Sequence, residues 1–218
     1  MKAKYALPTL LIPIAVASTV VFHPGIAYAE PAMASLPVVD VPTAGDLVVD
    51  PMHTSVGFEI EHFGISKIQG RFNKLEGSIH ADSKDLDNCK VSFTIATDSV
   101  DTNVAPRDAH LRNADFFEVS KYPTIKFEST KVRKRGNGYV AEGNLTMKAV
   151  TKKVSISFKA HGPIVSPQAG TRIGIVADPL VINRLDYGVG SGDKLPNGKF
   201  AIGDKVTIRL SVEATMKQ

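Results

Sequence analysis

The chain has 218 residues, of which 43% are hydrophobic and 22% charged, as expected of one globular domain with a substantial core. Its formal charge is only +4 at pH 7, and this near-balance excludes the concentrated basic face of a nucleic-acid-binding protein. The single cysteine, Cys89, cannot form an intrachain disulfide, so the fold must be stable by burial alone.

The first 29 residues are typical of a secretory signal peptide. Lys2 and Lys4 precede an apolar stretch over 7–22, and small residues typical of a cleavage site end at Ala29. The alternative is a membrane anchor, but prolines interrupt the apolar stretch, which is short for a span of about 20 residues. We therefore expect cleavage after Ala29, a mature chain that does not span a membrane, and a periplasmic or secreted protein.

After the signal peptide, residues 30–46 are rich in proline and alanine and predict a flexible lead-in. Over 47–217, short runs alternate apolar and polar residues, which is the pattern of half-buried β-strands. The alternation changes parity near Asn73 and Lys74, which predicts a β-bulge or a strong bend. We count about eight strands and one short helix near 106–112. The runs are 56–60, 68–72, 75–79, 91–95, 125–127, 140–146, 154–158, 173–177 and 206–212.

Evenly spaced, one-sided strands of this number either stack as a sandwich or close into a barrel. We expect a closed, eight-stranded antiparallel barrel, because closure leaves no unpaired edge. An outer-membrane barrel would need aromatic girdles at both interfaces, whereas this chain has no tryptophan and places phenylalanine on the same parity as valine and isoleucine. The interior is then either filled by side chains or open to one apolar ligand.

Motifs for catalysis and for metal binding are sparse. The run GVGSG at 188–192 places its serine one position too late for a nucleophile elbow. The acidic run at 82–87 lacks the central glycine and the closing glutamate of a calcium loop. The sequence therefore predicts neither a catalytic residue nor a metal site.

The segment 99–127 departs from the alternating pattern, because charges of both signs precede two adjacent phenylalanines. A general acid–base pair could be built from these charges, but no nucleophile accompanies it. Two alternatives stay open: a network that ties a crossover segment to the barrel, or a polar rim that meets the head of an amphiphilic ligand. The charged residues are Asp101, Arg107, Asp108, His110 and Arg112.

Four ordered segments resemble the YceI-like family of exported lipid-binding proteins. They are DPMHTSVGFEIEHFGISKIQGRFNKLEG at 50–77, DSVDTNVAPRDAHLRNADFFEVSKYPTIKF at 98–127, GNLTMKAVTK at 143–152 and NRLDYGVG at 183–190. The chain departs from the family pattern at Ala149, where glycine is commoner. The resemblance implies a lipocalin-like, eight-stranded antiparallel barrel over 47–217, with an elongated apolar tunnel that binds polyisoprenoid chains, including isoprenoid quinones and polyprenyl phosphates.

Position within this pattern assigns two sets of candidate binding residues. For the ligand tail they are Phe58, Ile60, Phe72, Phe93, Phe127 and Phe158. For the ligand head group they are Arg107, Asp108, His110 and Arg112, with His62 as a further candidate. No cofactor is expected apart from a bound isoprenoid lipid or quinone, and the sequence leaves a homodimer open.

Functions of different classes remain at this point. We favour a non-enzymatic binding protein for a polyisoprenoid or similar long-chain amphiphilic lipid, which carries, stores or sequesters it. The alternative is an enzyme that acts on such a lipid through residues 107–112. A third alternative, a filled barrel without a ligand, predicts the core-like cost of about 3–5 kcal/mol for Phe72→Ala.

Overall fold

The computed structural model describes residues 44–168 and 170–217, which form twelve strands and one α-helix. The strands are β1 (Gly45–Val49), β2 (Ser55–His62), β3 (Ser66–Phe72), β4 (Leu75–Ala81), β5 (Lys90–Ala96), β6 (Val100–Asp101), β7 (Thr124–Arg135), β8 (Gly138–Met147), β9 (Val150–Ser166), β10 (Gly170–Ala177), β11 (Leu180–Asn183) and β12 (Ile202–Met216). The helix, α1, spans Ala105–Arg112. The expected signal peptide and residues 30–43 of the expected lead-in lie outside the described residues, whereas Gly45 and Asp46 already belong to β1.

Where two successive strands continue in the same direction, they occupy one position in the barrel, and we call each such position a line. The twelve strands then form eight lines, which close into an antiparallel barrel. Four lines consist of two successive strands (β1 with β2, β3 with β4, β5 with β6, and β10 with β11), and the other four are β7, β8, β9 and β12. Each line pairs with the next along the chain, and β12 returns to the first line through Leu47–Met216 and Val56–Leu210. The predicted eight-stranded antiparallel barrel with one short helix is therefore confirmed.

One break between successive strands falls where the sequence changes parity. β3 ends at Phe72 and β4 begins at Leu75, as predicted for the residues between them. Ser99 holds this break, because its carbonyl accepts from the Asn73 amide at 3.1 Å and its hydroxyl accepts from the Lys74 amide at 3.0 Å. The break lets Phe72 and Leu75 both face the interior although they are three residues apart.

The two ends of the barrel differ in how they are closed. At one end, which we call the α1 end, lie the β2–β3 turn, the crossover over 102–123 with α1, the β8–β9 turn, and the β11–β12 connection over 184–201. At the other, the far end, lie the β4–β5 connection over 82–89, the β7–β8 and β9–β10 turns and the outer ends of β1 and β12. The α1 end therefore has two long segments that can cover the interior, whereas the far end has mostly short turns.

An ionic network holds the interruption between β1 and β2 against the neighbouring strands. Arg172 on β10 donates to Asp50 at 2.8 Å and also to Glu213 on β12. His53 lies 2.9 Å from the same Asp50 carboxylate. Asp50, His53 and Glu213 are close enough to share a metal ion, but the guanidinium already bridges the two carboxylates. We therefore interpret the group as an ion-pair network that fastens β1 and β2 to the barrel.

This network predicts a loss of stability in acid that depends on Asp50. The hydrogen bond with His53, followed by those from the Met52 amide and Arg172, lowers the pKa of Asp50 from 3.8 to about 2. A depressed carboxyl pKa stabilises the folded state above the unfolded-state pKa of about 4, and this stability is lost as the pH falls through the folded-state value. Asp50→Asn should therefore melt at a lower temperature than wild type at pH 7.

Thermal melts at pH 7, 4, 3 and 2 would test this expectation. The difference in melting temperature between wild type and Asp50→Asn should shrink between pH 4 and pH 2. Asp178→Asn, at an exposed position after β10, is the matched control and should leave the pH profile of wild type unchanged. A difference between wild type and Asp50→Asn that stays constant over this range would contradict the role of the carboxylate charge.

Candidate ligand-binding cavity

A cavity of about 570 Å³, which we call the main cavity, occupies the α1 end of the barrel. Its volume lies within the range of about 300–1,000 Å³ that is usual for small-molecule sites. Strands β2, β3 and β12 supply most of its wall, and α1 and the β11–β12 connection supply its cover. The apolar lining residues are Phe58, Ile60, Ile68, Phe72, Pro106, Leu111, Phe116, Phe117, Ile125, Met147, Ile182, Val189, Ile202, Val206 and Ile208.

A row of aromatic rings forms one wall of the main cavity. The Phe72 ring centroid lies 5.8 Å from that of Phe58 and 5.6 Å from that of Phe117. Phe58 is paired with Gly70 on β3, and a Cβ atom at position 70 would lie 2.3 Å from the Phe58 ring. The glycine therefore lets the ring lie flat against the neighbouring strand, which leaves the space in front of it open.

The six residues predicted to contact a ligand tail fall into two groups in the structure. Phe58, Ile60 and Phe72 line the main cavity. Phe93, Phe127 and Phe158 lie farther from the α1 end, around a separate void of about 30 Å³, and are 7%, 5% and 8% exposed. All six face the interior, but a period-two pattern reports only which face a residue occupies and says nothing about its depth along the barrel.

The four residues predicted for a ligand head group are also divided. Arg107 and His110 line the main cavity. Asp108 is buried and accepts from the amide of Thr102 at 2.8 Å and from the hydroxyl of the same residue. Arg112 donates to the carbonyls of residues 98 and 100, each at 2.7 Å. One face of α1 thus borders the main cavity, while Asp108 and Arg112 tie the helix to the strands before it.

The polar residues among those that line the main cavity belong to the α1 end. They are His62, Thr102, Arg107, His110 and Arg184. The Arg107 guanidinium donates to the hydroxyl of Thr102 at 2.7 Å and to its carbonyl at 2.8 Å. Among the residues that the structure describes, Arg107 has no carboxylate within ion-pair distance. Its positive charge is therefore held in place at the cavity wall by Thr102, whose hydroxyl in turn donates to the Asp108 carboxylate.

Arg184 is a lining residue that the sequence did not single out. It is only 4% exposed, and it lies in the short 3-10 helix that begins the β11–β12 connection. Its guanidinium donates to four backbone carbonyls at 2.7–2.9 Å, those of residues 189, 191, 202 and 203. Burial lowers the pKa of Arg184. The signal that could have revealed it is its place in the fourth family-like segment, NRLDYGVG.

A closed antiparallel barrel with a large apolar cavity at one end is the architecture of a ligand-holding barrel. The family model of the YceI-like domain matches residues 47–214. A UPF0312 protein of Pseudomonas aeruginosa is 43% identical over 172 residues, which are 78% of this chain and 86% of that protein. The chain belongs to the YceI-like family, as its four segments predicted.

Solved structures share this fold. BcnA of Burkholderia cenocepacia superimposes with a TM-score of 0.68 at 21% identity, over 77% of this chain and 99% of that chain. A polyisoprenoid binding domain from Saccharophagus degradans superimposes with a TM-score of 0.61 at 16% identity, over 78% of this chain and 98% of that chain. Within residues 44–168 and 170–217, no helix is long and apolar enough to cross a bilayer.

Proposed function

We propose that this protein binds a polyisoprenoid, or a similar long-chain amphiphilic lipid, and carries, stores or sequesters it without changing it chemically. The main cavity carries the proposal, because its wall is apolar and its polar residues belong to the α1 end. Membership of the YceI-like family and the likeness to a polyisoprenoid binding domain support the ligand class. Export through the signal peptide expected over 1–29 would place this function in the periplasm or outside the cell.

Burial of the tail supplies most of the expected affinity. Each isoprene unit adds about five carbons, and a buried methylene-sized group contributes roughly 0.8 kcal/mol. Micromolar affinity corresponds to about 8 kcal/mol. A few buried units therefore reach this value even after the cost of ordering the ligand.

The α1 end supplies a polar site for the head group. Asp108 accepts from Thr102, and Thr102 accepts from Arg107, so this chain of hydrogen bonds holds the Arg107 guanidinium in one orientation. A guanidinium held in this way can donate to a phosphate or to a quinone carbonyl. His110, on the next turn of α1, also lines the main cavity, and its Nε2 lies 3.2 Å from the Asp115 carboxylate.

Mass spectrometry of the gently purified, exported protein, in its native state and after solvent extraction, would test the proposal. We expect a stoichiometric species whose fragments are those of an isoprenoid lipid. An empty protein that also refuses added polyprenyl lipids would overturn the proposal. A lipid recovered in chemically altered form after incubation, and left unaltered by His110→Ala, would instead support an enzyme that works through residues 107–112.

Removing the Arg107 guanidinium should weaken binding of an anionic head group. We expect Arg107→Ala to raise the dissociation constant for a polyprenyl phosphate about tenfold, which corresponds to about 1.4 kcal/mol, and to affect the uncharged prenol less. Displacement of a fluorescent fatty acid would measure both constants. Lys159→Ala, which removes an exposed positive charge from β9, is the matched control and should leave both constants unchanged. Equal loss for the phosphate and the prenol would contradict a head-group role.

A further inference from the structure

Beyond the main cavity, toward the far end, the interior holds a layer of three phenylalanine rings that do not line the cavity itself. They are Phe93, Phe127 and Phe158, which we call the aromatic floor. On β7, Ile125 lines the main cavity, whereas Phe127, two residues farther from the α1 end, faces the small void of about 30 Å³. The same step occurs on β12 between Ile208 and Leu210. The boundary between the open and the filled part of the interior therefore passes between the two residues of each pair.

Close packing contacts fix the position of each ring of the aromatic floor. A Cβ atom at Gly77 would lie 2.5 Å from the Phe93 ring, and one at Gly143 would lie 2.7 Å from the Phe127 ring. Phe158 stacks on Tyr139 with ring centroids 5.5 Å apart and planes 23° apart. The first two rings occupy notches that only glycine leaves open, so neither can swing aside without losing this close fit.

Beyond the aromatic floor the barrel is filled. A second void of about 30 Å³ lies on the far-end side, and it shares Val91, Phe158 and Ile175 with the first. A separate cluster of buried residues then packs the far end, with Leu47 and Ala214 fully buried. Two voids of this size have room for single small groups, not for a continuing lipid chain.

The volume of the main cavity sets the length of tail that fits above the aromatic floor. An apolar cavity of about 150 Å³ holds one benzene molecule. In a cavity of about 570 Å³ the same packing leaves room for about 23 carbon atoms, which is enough for about four complete isoprene units. We propose that the aromatic floor limits the buried tail to about four isoprene units, an inference that rests on the proposed function.

This limit has a direct consequence for longer lipids. The tail enters from the α1 end and stops at the aromatic floor, so any further unit must stay outside the cavity, in contact with water. Units outside the cavity gain no burial and add no affinity. The affinity therefore stops rising at about four units, and a polyprenyl chain of eight units binds no better than one of four.

Titration of the solvent-extracted full chain with prenols of two to eight isoprene units would test this limit. In wild type, the dissociation constant should fall at least about tenfold with each unit up to the fourth, because each unit buries about five more carbons. Beyond four units it should change less than about threefold. A constant that keeps falling up to eight units would overturn the limit but leave the proposed function standing, whereas binding of no prenol at all would overturn both.

Three variants locate the limit at the aromatic floor. Phe127→Ala should move the plateau at least one unit longer, because the space of the ring joins the main cavity to the void below. Ile208→Phe adds a ring above the aromatic floor and should move the plateau to a tail about one isoprene unit shorter. If Phe127→Ala does not fold, Ile208→Phe alone tests the limit. Leu47→Ala removes a fully buried side chain at the far end and should leave the plateau unchanged. An unchanged plateau in Ile208→Phe, or a shift in Leu47→Ala as large as that in Phe127→Ala, would overturn the assignment.

Discussion

Replacing Arg184 by methionine should lower the free energy of unfolding by about 3–5 kcal/mol. Methionine keeps an unbranched side chain but removes the donors to four backbone carbonyls, those of residues 189, 191, 202 and 203. A buried acceptor left without a partner costs about 1–3 kcal/mol, and part of this is recovered where the connection can relax toward water. Arg184 is therefore expected to fix the cover of the main cavity more strongly than any exposed ion pair does.

Urea unfolding of wild type and variants would measure this effect. Arg209→Met, at an exposed position of β12, removes the same charge without removing buried donors and should change stability by less than about 0.5 kcal/mol. Arg184→Lys should fall between wild type and Arg184→Met, because one ammonium reaches fewer carbonyls than a guanidinium. A loss below about 1 kcal/mol in Arg184→Met would show that the connection holds its shape without the guanidinium.

Phe127→Ala should cost about 3–5 kcal/mol, the usual price of removing a buried phenylalanine from a packed core. Phe127 is 5% exposed, and its ring packs closely against Gly143. Phe72→Ala should cost clearly less in the ligand-free protein, because one side of the Phe72 ring already faces the open space of the main cavity. The comparison separates the aromatic floor from the cavity wall.

Urea unfolding of both variants after solvent extraction would make this comparison. A barrel filled throughout would give the two variants equal losses, so equality would contradict an open main cavity. Saturating prenol should then increase the difference between wild type and Phe72→Ala, because the ligand supplies the packing partner that the ring lacks when the cavity is empty.

The sequence predicted the fold closely because each strand has one face toward the interior and one toward solvent, and therefore alternates apolar and polar residues. The parity change at Asn73 and Lys74 marked the break between β3 and β4, and Pro106 marked the first turn of α1. The pattern did not show that three further lines are divided, those of β1 with β2, β5 with β6, and β10 with β11. The break between β1 and β2 involves contacts between distant segments, since Arg172 on β10 donates to Asp50 within it.

The site was harder to predict, because its parts differ in depth and in hydrogen-bond partner rather than in residue type. Phe72 and Phe127 look alike in the sequence, yet only the first borders the main cavity. The sequence could not separate the residues of α1 either, since Arg107 lines the cavity while Arg112 binds the carbonyls before the helix. No partner side chain in the sequence could point to Arg184, because all four of its hydrogen-bond acceptors are backbone carbonyls.

Under the proposed function, the polar lining residues at the α1 end would impose a direction on the bound amphiphile. A molecule bound tail-inward keeps its head beside Arg107 and His110, whereas the reverse orientation would bury a polar group against the aromatic floor without a partner. The lipid would therefore leave head first through the opening by which it came. A membrane or acceptor protein that takes the lipid would contact the head group first, while the tail is still buried in the cavity.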